Sequence, residues 1–205
     1  MVLNKKVLFL SILSIVVIIF LSFRGENVKK RALFILMPQD FQDLEFLEPY
    51  KILKEGGIEI DVAGLKPGIA KGMFGRTFEP NLLLDDLNNE KFDVYDALVI
   101  PGGSGSTEFL WEDLKVLETI KYFHSKNKIV AAICHACAAV ANSRILTGKE
   151  ATVFPSDEAL DVFKKNEVKF VDKGVVISQK DKIITSQGPK FAREFGNAIL
   201  SMLKK

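Results

Sequence analysis

Three short uncharged runs, residues 32–37, 97–100 and 129–133, constrain this chain more than any other feature. Each contains only apolar side chains, and each ends in a turn or polar segment: Pro38, then Pro101-Gly102-Gly103, then Cys134-His135. A strand that is apolar on both faces belongs in the middle of a parallel sheet covered on both sides. Helical patterns lie between the runs, so the alternation predicts an α/β three-layer sandwich with a mostly parallel central sheet.

The intervening segments support that architecture. Leu44, Phe46, Leu47, Tyr50, Ile52 and Leu53 recur at helical spacing, and Gly56-Gly57 closes the helix before a strand over residues 58–63. Residues 72–84 read as an extended excursion or hairpin, broken by Gly75 and Pro80. Helices are expected over residues 107–111, 114–124, 138–141 and 157–164, with small strands over 151–154, near Val168, and over 175–178 and 183–185. Gly188-Pro189 opens a last helix whose apolar stripe is Phe191, Phe195, Ala198, Ile199 and Met202. A chain of 205 residues is expected to hold one compact domain.

Charge divides the chain unevenly. Residues 1–31 carry six cations against Glu26 alone, which leaves a weakly acidic remainder within a formal net charge of +2. Such a body lacks the basic footprint of a nucleic-acid binder. The two cysteines cannot build a disulfide scaffold, and His124 and His135 make no zinc spacing. His124, at the end of an ordinary helix, reads as a solvated surface histidine.

Residues 7–23 contain no charge and are flanked by Lys5-Lys6 and Arg24. At about 1.5 Å per residue this stretch reaches roughly 25 Å as a helix, near the short end of a bilayer span. It is longer than most signal-peptide cores, and no small-x-small cleavage site follows it. The expectation is an N-terminal hydrophobic helix acting as a single-pass membrane anchor, with a cleaved signal peptide as the alternative. The boundaries read as 1–24 for the anchor or uncleaved signal, 25–30 for a linker and 31–205 for the domain. Flanking cations favour the cytoplasmic face.

Ligands of open parallel sheets collect at the carboxyl ends of the strands, where residues 101–105 and 134–137 both fall. A cysteine at a helix start is expected to have its thiolate stabilised, and His135 beside Cys134 can act as its base. Gly102-Gly103 allows close backbone approach, with amides aimed at an oxyanion. The alternatives are an inert buried thiol and a plain turn.

At these residues the chain resembles the ThiJ/PfpI family. The matching segments are Asp43-Leu44-Glu45 with Pro49, Lys54-Glu55-Gly56-Gly57, and the strand ending in Pro101-Gly102-Gly103. They continue with Ala131-Ala132-Ile133-Cys134-His135 and Ile184-Thr185-Ser186-Gln187-Gly188-Pro189, in the family's order from about residue 31 to the end. The resemblance implies a class I glutamine amidotransferase-like (flavodoxin-like) fold and a nucleophilic Cys134. It also implies that Glu45 stands beside the sulfur, protonated when it donates to the thiolate. In peptidase-like members an acid after the Gly-Gly turn, sometimes from a neighbouring subunit, completes the cysteine and histidine; Glu108 falls within one position of that place. A homo-oligomer, dimer or higher, is therefore expected. The chain departs from the family in Ala136-Cys137, in Gln187 where arginine is usual, and in Phe154 where other branches carry a catalytic histidine.

The resemblance implies a cysteine-dependent hydrolase acting on carbonyl substrates, either peptides or aldehydes and glycated adducts such as those of methylglyoxal. The amides of Gly103 and His135 would hold the oxyanion, with no metal or organic cofactor required. A second reading is a thiol redox protein in which Cys137 resolves an oxidised Cys134. A third is a chaperone-like module that has kept only the fold.

Overall fold

The computed structural model describes residues 29–205. The strands in chain order are β1 (Arg31–Leu36), β2 (Gln39–Phe41), β3 (Glu59–Gly64), β4 (Ala70–Gly72), β5 (Thr77–Phe78), β6 (Leu82–Leu83), β7 (Ala97–Ile100), β8 (Ile129–Ile133), β9 (Glu150–Ala151), β10 (Lys169–Phe170), β11 (Val175–Ser178) and β12 (Ile183–Ser186). The α-helices are α1 (Asp43–Glu55), α2 (Asn89–Phe92), α3 (Ser106–Phe109), α4 (Leu114–Ser125), α5 (Ala136–Asn142), α6 (Asp157–Lys165) and α7 (Ala192–Leu203).

Seven strands form the central sheet in the order β11-β12-β8-β7-β1-β3-β6. All its pairings are parallel except β11 with β12. The three runs singled out in the sequence are the sheet's middle strands, and every residue of β7 and β8 is buried. Charge-free strands are required there because helices cover both faces. Helices α1 and α7 pack together on one side, so closely that a Cβ on Gly196 would stand 2.9 Å from the Pro49 Cα. Helices α4 and α5 lie against β7 and β8.

From β1 the chain builds outward through β3 to β6, then returns to add β7, β8 and β12 on the other side. The switch point therefore lies between β1 and β7, where the loops after the two strands diverge and leave a crevice. The hairpin expected over 72–84 falls earlier, as antiparallel β4 and β5 joined to β2 in a small sheet, and Leu82–Leu83 instead form the edge strand β6 of the central sheet. The strand expected over 151–154 is only Glu150–Ala151, and Phe154 beyond it is exposed.

The described residues correct the expectation of a single-pass membrane protein favouring the cytoplasmic face. None of their helices is long and apolar enough to cross a membrane. The longest, α1, has 13 residues, against roughly 20 needed to span a bilayer core. Residues 7–23, on which the hydrophobic helix, the anchor and the membrane contact were placed, lie outside the described residues, as does most of the 25–30 linker. His124 is also corrected: it is half-buried, its Nδ1 finds no hydrogen-bond partner among the described residues, and burial holds its pKa below the ordinary value.

Candidate active site

Cys134 follows the last residue of β8 with φ +61°, a left-handed conformation that costs a non-glycine residue about 1–2 kcal/mol. Its amide still donates to the Ser186 carbonyl at 2.7 Å, so the neighbouring strand holds the turn in place. His135 then caps α5. A strained residue between strand and helix is the geometry of a nucleophile elbow, which lifts a side chain out of the sheet.

Glu45 approaches from the other wall of the crevice. Gln42 caps α1, its side chain accepting the Glu45 amide at 3.0 Å, while its own amide donates to the Gly102 carbonyl at 2.8 Å. The Gly102 amide donates to Glu45 Oε2 at 3.0 Å. Both polar groups of Gly102 are thereby committed to the α1 region, so its amide is not free for an oxyanion. Instead Gly102 acts by its size: a Cβ there would lie 2.8 Å from the Cys134 Cβ and 2.9 Å from Glu45 Oε2. The Gly103 amide, by contrast, meets no acceptor among the described residues.

Gly103 has φ +134°, and a Cβ on it would run into the Asp40 carbonyl oxygen and lie 2.6 Å from the Gln42 amide nitrogen. Backbone atoms cannot swing aside as a side chain can. Gly103→Ala is expected to destabilise the fold by roughly 2–5 kcal/mol, read as a lowered urea midpoint. A midpoint equal to the parent's would show that the loop adapts freely.

Glu45 is fully buried, and its Oε1 has no nitrogen or oxygen partner. The Cys134 thiol is the hydrogen-bonding group beside that carboxyl. Burial pushes the Glu45 pKa up to about 8, despite the hydrogen bonds from Cys134 and Gly102. Burial also pushes the Cys134 thiol up; an ionised Glu45 would push it further, and the His135 amide pulls the other way. The acidified thiol expected at a helix start is thus reversed, because desolvation outweighs a single amide. At neutral pH Glu45 holds its proton, and the sulfur faces a neutral acid.

His135 Nδ1 lies 4.0 Å from Cys134 Sγ, and its Nε2 lies 3.2 Å from Ser156 Oγ. Trp111 Nε1 donates to the His135 carbonyl at 2.8 Å, and the Phe154 ring stands 4.9 Å from the imidazole. Burial lowers the His135 pKa, so the ring is neutral at pH 7 and able to accept a proton.

The fold therefore brings together Cys134, His135, Glu45, Gly102 and Gly103. Within its own chain Glu108 is exposed on the four-residue α3 and makes no side-chain hydrogen bond or ion pair with them. Cys137 is fully buried, its Sγ donating to the carbonyls of Ala132 at 3.3 Å and Ser186 at 3.6 Å. Both cysteines are free. Among the described residues no cluster of His, Cys, Asp and Glu could hold a metal ion.

Two supporting roles escaped sequence reasoning. The Asp43 carboxylate accepts the amides of Phe74 and Arg76 at 3.0 and 2.9 Å, pinning the β4–β5 hairpin to the start of α1. Ser156 was readable as a helix start before Asp157-Glu158, but no spacing rule connects it with His135.

A cysteine on a left-handed turn after a central parallel strand, with a buried acid across the crevice, defines an α/β protein with a strand-to-helix elbow at cysteine. The chain belongs to the DJ-1/PfpI family, whose model matches residues 30–202. It is 38% identical to an uncharacterized protein of Methanocaldococcus jannaschii, over 89% of this chain and 87% of that one. A deglycase of Pyrococcus abyssi is 34% identical over 70% of this chain and 82% of its own. Among solved structures, a ThiJ/PfpI domain protein from Brachyspira murdochii superposes with a TM-score of 0.78 at 29% identity, covering 86% of this chain and 98% of that one.

Proposed function

We propose that this chain is a cysteine-dependent enzyme acting on small carbonyl compounds, aldehydes such as methylglyoxal or their adducts on proteins, through Cys134 with His135. The observation that carries the reading is the +61° turn at Cys134, which sets its sulfur between a neutral histidine and a protonated buried acid. The deglycase among the relatives supports the substrate class.

In the addition step the Cys134 thiol gives its proton to His135 as the sulfur–carbon bond forms. The carbonyl π pair moves onto oxygen, where the amides of Gly103 and His135 receive it, and the imidazolium then returns the proton to that oxygen. The product is a hemithioacetal, and no electron acceptor is consumed. General-base assistance suits a thiol whose own ionisation is disfavoured.

A cavity of about 270 Å³, lined by Phe154, Pro155, Gln187, Gly188, Pro189, Lys190 and Phe191, flanks this machinery and is sized for a small molecule. A larger one of about 650 Å³ between Lys66, Pro80, Leu87 and Tyr95 is lined by neither cysteine nor histidine. The test is turnover of methylglyoxal, and of methylglyoxal-treated peptide, by the full chain. Failure to consume either at micromolar enzyme would remove the proposal.

A further inference from the structure

The neutral histidine of the proposed reaction has a partner within its own chain. The Ser156 hydroxyl faces His135 Nε2 at 3.2 Å, on the side of the ring opposite Cys134. Ser156 is also the N-cap of α6, where its Oγ accepts the Ala159 amide at 3.3 Å. An amide only donates, so one lone pair is used there, leaving the hydroxyl proton and the other lone pair for the imidazole.

We infer that Ser156 is a positioning residue for His135, occupying the third place of a Cys134-His135-Ser156 relay inside one chain. The inference rests on the proposed cysteine chemistry and adds a residue to it.

A hydroxyl suits a histidine that changes charge. While Nε2 carries its hydrogen and donates to Oγ, Nδ1 is bare and faces the thiol as an acceptor. Once Nδ1 takes the thiol proton, the Nε2 hydrogen remains on Oγ, so the ring need not move between the two states. A carboxylate in the same place would hold the imidazolium and slow return of the proton. The Phe154 ring and the backbone clamp from Trp111 restrict the remaining freedom of His135. Glu158 on α6 acts on His135 through its charge, and the Gly103 carbonyl is a further acceptor for the ring.

Capping and positioning are separable, because glycine at an N-cap costs only a few tenths of a kcal/mol relative to serine. Ser156→Gly removes the partner of His135 while largely sparing the helix, and Ser156→Thr keeps both roles. The rate of Cys134 alkylation by iodoacetamide at pH 7.5 needs no turnover, so it reads this inference independently of the substrate. Expected are a tenfold or greater slowing in Ser156→Gly, near-parent melting in both variants, and a rate within about twofold of the parent in Ser156→Thr. With methylglyoxal as substrate the loss falls on kcat with KM little changed. Alkylation of Ser156→Gly at the parent rate, or equal slowing in Ser156→Thr, would overturn the inference. Normal alkylation behaviour without turnover would overturn only the substrate assignment.

Discussion

Cys134→Ala is expected to lower kcat/KM toward methylglyoxal and its adducts by at least about 10³-fold, with the melting temperature within a few degrees of the parent. The loss is expected to be large because the other cysteine, Cys137, is fully buried and donates to carbonyls inside the sheet. The fold survives because the turn is held by the backbone, through the amide of residue 134 on the Ser186 carbonyl. Cys134→Gly sharpens the test. Glycine relieves about 1–2 kcal/mol of left-handed strain and adds about 0.5–1 kcal/mol of unfolded-state freedom, so this variant should be inactive and at least as stable as the parent. Activity retained in either variant, or collapse of both folds, would contradict the assignment.

The second large effect concerns Glu45 and pH. Its carboxyl has an ordinary pKa of 4.5 and rises to about 8 in the fold. Below pH 4.5 folded and unfolded chains both hold the proton, and the stability contribution is fully present. Between 4.5 and about 8 the unfolded chain ionises while the native one does not, so stability falls as pH rises. Above about 8 both forms are ionised and the loss levels off. The total is on the order of a few kcal/mol. Glu45→Gln keeps an oxygen for the Gly102 amide and removes the titration. Its melting curve against pH is expected to be flatter, crossing the parent's and lying several degrees above it at pH 8. Parallel curves from pH 5 to 8 would mean that Glu45 ionises inside the fold at an ordinary pH. The same variant should react more slowly at Cys134, since a carboxylic acid donates more strongly than an amide.

Much of the fold was legible because its signals are local. The middle strands announce themselves by having no charge, a direct consequence of burial on both faces. Pro38, Gly56-Gly57 and Gly188-Pro189 mark ends and beginnings through backbone restrictions that act within two or three residues. On α7 three of the five expected stripe residues, Phe195, Ile199 and Met202, are buried, whereas Ala198 is half-buried and Phe191 belongs to a 3-10 turn over Pro189–Phe191 that precedes the helix. Leu44 breaks the stripe on α1 and is exposed, while Asp43 and Glu45 are buried. That inversion was invisible because it depends on what the first turn of α1 meets across the crevice.

By itself the sequence determined the layered α/β architecture, the elbow cysteine with its histidine, and, through the order of its motifs, the family. These follow from side-chain periodicity and chain order, which neighbouring residues set. Only the tertiary structure decided that burial raises the pKa of both Cys134 and Glu45, and that the Gly102 amide belongs to Glu45. It alone placed Ser156, 21 residues after His135, within reach of the imidazole. Desolvation and hydrogen-bond partnership depend on which distant segments crowd one point in space, and that crowding exists only after the sheet has wound.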